Sequence, residues 1–286
     1  MSASQVWHVN ETNHPLNENA RMNWLQRFLT STIGLKLIMA LSGIILIGFV
    51  IGHMVGNLQI FLQDGGKSLD AYGAALQSNQ NLLWIIRIGL LTAVGAHIAS
   101  AVALVMRSKT ARPKSYQNHK WLSSDYAVRT MRLGGVILLA FIIFHIAHLT
   151  IGADVPGTDG IKHCTYQGGE FTCFVTENVV GQCGFVSTAS PGDASAAAAG
   201  TQLIEQCSGF KNSFLAIFYI VAQIALSLHL AHGIWSLCRT LGLSNPRYDN
   251  IARKIAWAIS LAILIGNCSI PIAVQLGRFT PIQLIN

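Results

Sequence analysis

Charge is what this sequence has least of. Only 11% of its 286 residues are Asp, Glu, Lys or Arg, against about 25% in ordinary soluble domains. With 51% hydrophobic residues and a mean hydropathy of +0.45, the composition excludes a water-soluble globular fold and leaves no separate soluble core. Acids are missing altogether from every long apolar run, which weakens a transporter or proton-relay reading, since buried relays are built around Asp or Glu. No inverted repeat is evident, another feature many transporters show. The first 28 residues carry neither an apolar core nor a small-residue cleavage site, so no signal peptide is expected. The cysteines form no CxxC pair, and no nucleic-acid motif or aromatic platform accompanies the basic residues.

Five apolar runs are long enough to span about 30 Å of hydrocarbon as helices. They cover residues 35–60, 82–106, 133–151, 214–237 and 255–276. The chain therefore divides into a polar N-terminal segment (1–34), three spans (35–151), a polar cysteine-bearing insert (152–211), and two more spans with the C-terminus (212–286). The expected fold is an all-α integral membrane protein of five transmembrane helices. Of 19 Lys and Arg, 14 sit at one set of ends: Arg21, Arg27, Lys36, Arg107, Lys109, Arg112, Lys114, Lys120, Arg129, Arg132, Arg239, Arg247, Arg253 and Lys254. By the positive-inside rule the N-terminus is expected in the cytoplasm and the C-terminus outside, in a cell (inner) membrane. The net charge of +7 then reflects topology and contact with anionic lipid.

Smaller features follow. The first span holds Gly34, Gly43, Gly48, Gly52 and Gly56, which serve either close helix packing or the approach of a flat cofactor. Gln63 to Asn81 should form a short amphipathic helix. Arg87 either snorkels to the interface or stands beside a carboxylate or quinone. The loop from Arg107 to Arg132 is a solvated basic loop or a docking surface for a soluble partner. In the insert, Cys164, Cys173, Cys183 and Cys207 are expected to form two disulfides, with the sequence-near pairs Cys164–Cys173 and Cys183–Cys207 favoured. Cys238 and Cys268 read as inert buried thiols. Pro271 should kink or thin the end of the fifth span.

The chemistry lies in six of the ten histidines: His53, His97, His145, His148, His229 and His232 fall within the apolar runs. At about 1.5 Å per residue on antiparallel helices, His53 and His145 lie roughly 9 and 5 Å outward of their span centres, and His97 and His229 roughly 3–5 Å inward. Each layer draws one imidazole from each of two helices, as bis-imidazole ligation of a heme iron requires. The layers would differ in depth by on the order of 10 Å. A lone histidine on an apolar helix is more often a hydrogen-bonded core residue, and copper or zinc would also accept imidazole, though without the usual thiolate or carboxylate companions here.

At HMVGN, at His97, at FHIAH and at LHLAHGIWSLCRTLGL, the chain resembles the diheme cytochrome b membrane subunit of succinate dehydrogenases and fumarate reductases, in its single-anchor five-helix form. KLIMALSGIILIGFVIGHMVGNLQIF is the most specific piece, and the resemblance spans roughly residues 27–152 and 212–280, leaving the insert outside it. It implies a bundle around two b hemes, a FAD flavoprotein and an iron–sulfur protein as cytoplasmic partners, and electrons passed between succinate and a membrane quinone, commonly menaquinone. It gives His53 and His145 as axial ligands of the distal heme iron and His97 and His229 of the proximal one. His148 and His232 are the alternates; some relatives place the ligand just before a glycine, as His232 stands. Succinate chemistry belongs to the flavoprotein, so this chain relays electrons and reduces quinone. Arg27, Ser31, Lys36 and Arg132 are candidates for the proximal heme propionates, or simply anchor the interface. Assembly as a trimer of complexes is left open by the resemblance. Rival readings are the cytochrome b anchor of a hydrogenase or formate dehydrogenase, and a heme-free anchor or transporter.

Overall fold

The computed structural model describes residues 23–62, 67–112, 114, 126–150, 161–167, 170–175, 210, 212–243 and 245–276. The elements are α1 (Trp24–Thr30), α2 (Thr32–Leu58) with a 3₁₀ turn after it (Gln59–Phe61), α3 (Lys67–Ser78), α4 (Gln80–Thr110), α5 (Tyr126–His145) with a π-helical turn (Ile146–Thr150), β1 (Ile161–Gln167), β2 (Glu170–Val175), α6 (Ser213–Thr240) and α7 (Asp249–Gln275). Five helices are long and apolar enough to cross a membrane, Thr32–Phe61, Gln80–Thr110, Tyr126–Leu149, Ser213–Thr240 and Asp249–Gln275; this is a multi-pass membrane protein. Large apolar side chains such as Ile85, Leu91, Leu133, Val136, Ile217 and Ile265 are exposed on the bundle's outside, a surface that water would not tolerate and lipid does.

The helices outrun the apolar runs at several ends because polar residues cap them. Asn79 accepts from the Leu82 amide and Asn212 from those of Phe214 and Leu215, satisfying first-turn donors that have no intrahelical partner. Ser31 separates α1 from α2: its extended backbone breaks the helix, and its hydroxyl donates to Phe28 O (2.6 Å) while accepting from the Gly34 amide (3.0 Å). Gly34 has to be glycine, since a Cβ there would collide with the Phe28 carbonyl folded over it. Arg107, at the end of α4, clamps this elbow through Thr32 Oγ1 (3.3 Å) and the Thr30 carbonyl.

Packing divides the bundle into two layers. α6 lies between α5 and α7, α2 lies along α4, and α2 also touches α6 and α7. Small residues line the closest seam: Ala216, Ala222, Ser227 and Ala231 of α6 and Ala256, Ser260 and Ala273 of α7 are all buried, which lets the backbones approach without help from a hydrophobic drive. Ser227 donates to Ser260 O (3.1 Å) and Asn267 to Gln223 Oε1 (2.8 Å), interhelical bonds that contribute on average about 0.6 kcal/mol each in a membrane protein. Leu230, Ile234, Ala256 and Ile263 form the core there, with Ile47, Val50 and Met54 of α2 against it. α7 continues through the buried Pro271 to Gln275.

At the opposite end from the Arg107 elbow, the amphipathic α3 forms where expected and does more than cover the bundle. Leu69 joins a buried cluster with Ile60, Phe141, Phe210, Tyr219 and Ile270, and Tyr72 packs so tightly on Gly56 that a Cβ would lie 2.5 Å from its ring. The bundle is all-helical as expected, and outside it, in the insert, β1 and β2 pair as an antiparallel hairpin. Its strands flank Gly168-Gly169 in QGGE, and two glycines between β-branched and aromatic residues are a hairpin signal. The register sets the backbone of Cys164 opposite that of Cys173, and a disulfide between them is a prediction; Cys183 and Cys207 lie outside the described residues. Cys238 and Cys268 are free. Cys164 and Cys173 should resist alkylation until a reductant is added, and mass spectrometry recovering both as free thiols from unreduced protein would contradict that pairing.

Candidate functional site

Among the described residues α2 does not pack along α5, nor α4 along α6. Across these two separations the histidines meet. His53 of α2 faces His145 of α5 with ring centroids 5.8 Å apart and the planes nearly perpendicular at 89°. His97 of α4 faces His229 of α6 at 6.3 Å and 58°. Four helices thus contribute one imidazole each to two pairs, one toward the α3 end and one toward the Arg107 end. His53 is exposed, and the other three are half-buried.

Each ring of the His53–His145 pair is backed by a phenylalanine one turn earlier on its own helix. Phe49 stacks on His53 at 5.4 Å and Phe141 on His145 at 5.6 Å, because residues four apart share a helix face. The His97–His229 pair is held differently. His97 Nδ1 lies 3.1 Å from the Met39 carbonyl and 3.2 Å from Ser42 Oγ, both on α2. A carbonyl can only accept, so Nδ1 carries the proton and Nε2 keeps the lone pair. Both groups, a carbonyl and a hydroxyl, come from a neighbouring helix and not from α4 itself. His145 Nδ1 and His229 Nδ1 are buried without a hydrogen-bond partner, and buried polar atoms of that kind call for a ligand or a function.

Of the alternates, His148 lies in the π-helical segment after His145 and meets Tyr219. Its Nδ1 is hydrogen-bonded to the Tyr219 hydroxyl at 2.9 Å, and both side chains are buried. Tyr219 in turn sits edge-on to Phe141 and Phe210 and tilts against His145 at 5.9 Å. His232 lies 6.1 Å from the Trp235 ring. Trp235 donates to Asp249 Oδ1 (3.0 Å) and carries the guanidinium groups of Arg239 and Arg253 over its rings at 4.7 and 4.5 Å. Arg27, Lys36 and Arg132 are exposed toward the same end, and the Ser31 hydroxyl is committed to its cap. Arg87 lies over Trp84 at 5.3 Å.

The donor set fits bis-imidazole ligation of an iron. Two imidazole nitrogens each about 2.0–2.1 Å from one metal place their ring centroids roughly 6 Å apart, the separation found in both pairs. Among the described residues no group of three or more His, Cys, Asp or Glu gathers, so each candidate site is a site of two imidazoles. A methyl at Gly48, Gly52, Gly95, Gly134, Gly135 or Gly233 would meet no atom within 4 Å, whereas Gly34 and Gly56 are closely packed; helix packing within this chain accounts for only part of the glycine content. Sequence reasoning passed over Ser42, Tyr219, Trp235 and the backing phenylalanines, although FVIGH and FIIFH show the same Phe-to-His spacing.

The chain matches no protein-family model, no curated protein and no solved structure. Its site is therefore defined by its own geometry, two histidine pairs in a five-span bundle. Tyr219→Phe should strand His148 Nδ1 in the core and cost about 1–3 kcal/mol, measured as a lowered thermal midpoint in detergent; an unchanged midpoint would mean that the hydrogen bond contributes nothing.

Proposed function

We propose that this chain is the diheme cytochrome b membrane subunit of a succinate:quinone oxidoreductase. The observation that supports it most is the meeting of four imidazoles from four helices as two pairs, His53 with His145 and His97 with His229, across helices that otherwise scarcely touch. Each pair would hold one b-type heme, whose iron supplies reversible one-electron chemistry when bound. The protein's own residues position the rings, exclude water and tune the ligands: Phe49 and Phe141 fix two imidazole planes, and Met39 O fixes the tautomer of a third. Stacking one site above the other gives electrons a route through the hydrocarbon.

In this reading the Arg107 end faces the cytoplasm of a cell membrane, and electrons arrive there from an iron–sulfur subunit that a FAD flavoprotein reduces with succinate. They leave to a membrane quinone, menaquinone in many such complexes. Basic side chains at this end, including Arg27, Lys36, Arg132, Arg239 and Arg253, suit contact with heme propionates, anionic lipid or an acidic partner surface. His145 is preferred to His148 because it faces His53 while His148 bonds Tyr219, and His229 is preferred to His232 because it faces His97.

Single substitution tests the assignment. His53→Ala, His97→Ala, His145→Ala and His229→Ala should each lower the heme content of purified protein from two per chain to one. His148→Ala and His232→Ala should keep both. Retention of both hemes by any of the first four, or loss of one by either of the last two, would overturn that ligand, and co-purification with subunits other than a flavoprotein and an iron–sulfur protein would overturn the choice of complex.

A further inference from the structure

The two histidine pairs are not held alike, and the difference lies on one stripe of α2. Ser42 and His53 are eleven residues apart, which at 100° per residue is three full turns plus about 20°. The same face that carries His53 to His145 therefore carries Ser42 to His97, about 16 Å further along the axis. Ser42 is one of few buried polar residues on this helix. Its hydroxyl oxygen lies 2.8 Å from Ile38 O and 3.1 Å from Met39 O, both acceptors on its own helix, so the hydroxyl proton points back along α2. That leaves an oxygen lone pair toward His97 Nδ1, 3.2 Å away. Gly43, the next residue, also faces this ring; a Cβ there would lie 3.6 Å from it, in ordinary contact.

We propose that Ser42 is a positioning residue for His97: with the Met39 carbonyl it accepts the Nδ1–H of that imidazole, so that Nε2 is presented unprotonated toward His229 and the reduction potential of the iron held there is lowered. This rests on the heme reading above. A shared hydrogen bond from Nδ1–H raises the electron-donating power of the ring's other nitrogen. A better donor stabilises the ferric state, and hydrogen bonding around the axial ligand is one of the means by which a protein sets heme potentials. Among the described residues the opposing imidazole, His229, has no such partner on Nδ1, nor does His145 at the other site. Ser42 thus gives the site with His97 a side chain on a neighbouring helix through which its potential can be adjusted.

The test is potentiometric titration of b-type absorbance in the purified full chain, with low-temperature EPR of the oxidised protein, for the native sequence, Ser42→Ala and Ser42→Thr. Ser42→Ala should retain two hemes and shift one of the two midpoint potentials upward, leaving the other in place, while Ser42→Thr, which keeps the hydroxyl, should return it to the native value. In a His53→Ala background, where only the His97–His229 site remains, the surviving midpoint should show the same shift. Loss of one heme in Ser42→Ala with retention in Ser42→Thr would also support positioning. Identical potentials in native and Ser42→Ala protein would overturn the proposal while leaving the heme reading intact, and so would equal shifts or heme loss in both variants. Absence of b-type heme from the native chain would instead overturn the reading on which it rests.

Discussion

An imidazole at membrane depth has to be given a partner, and that constraint organises this bundle. Helices in lipid associate through close packing of small residues and a few hydrogen bonds, and α6 and α7 do so along their alanine and serine seam. α2 with α5, and α4 with α6, do not. Instead each of these separations is bridged by two histidine rings at 5.8 or 6.3 Å. Rings at that spacing are too far apart to hydrogen-bond directly and well placed to share a metal. The remaining architecture follows: a tight α6–α7 scaffold, with α5 on one side of it and an α2–α4 layer packed on it through Ile47, Val50 and Met54.

α2 ties the two sites together. Its one stripe supplies His53 to the pair near α3 and Ser42 with the Met39 carbonyl to the pair near the basic end. Both ends of the same helix are pinned, by Arg107 at the Ser31 elbow and by Tyr72 on Gly56. A helix held in this way cannot slide by a residue without moving both histidine pairs, so the registry between the sites is set by one rigid element rather than by loops.

Much of this was legible in the sequence because bilayer thickness turns residue number into depth. The five spans and the sorting of His53 with His145 and His97 with His229 need only antiparallel helices and a fixed rise, and the structure brings those rings together. What lay beyond reach depended on rotation about the helix axis or on local backbone geometry. Residues 145 and 148 share a helical face and both rings lie 5.9 Å from Tyr219, and only the placed side chains show that His148 takes its hydrogen bond while His145 faces His53. Ser42 looks like any small helix residue until α4 is placed beside it. The hairpin was written in QGGE, inside an insert read for its polarity and its cysteines alone. Leu69 of α3 entering the core reflects tertiary packing that an amphipathic pattern alone does not assign.

On the proposed function, each of the two imidazole pairs holds one heme iron. The most direct measurement is a dithionite-reduced minus oxidised spectrum of the purified native chain together with its heme-to-polypeptide ratio. Two bis-imidazole hemes would give b-type α and Soret bands and a ratio of two. A chain purified intact with no b-type absorbance, or with a ratio that stays at one under heme-sufficient expression, would contradict it.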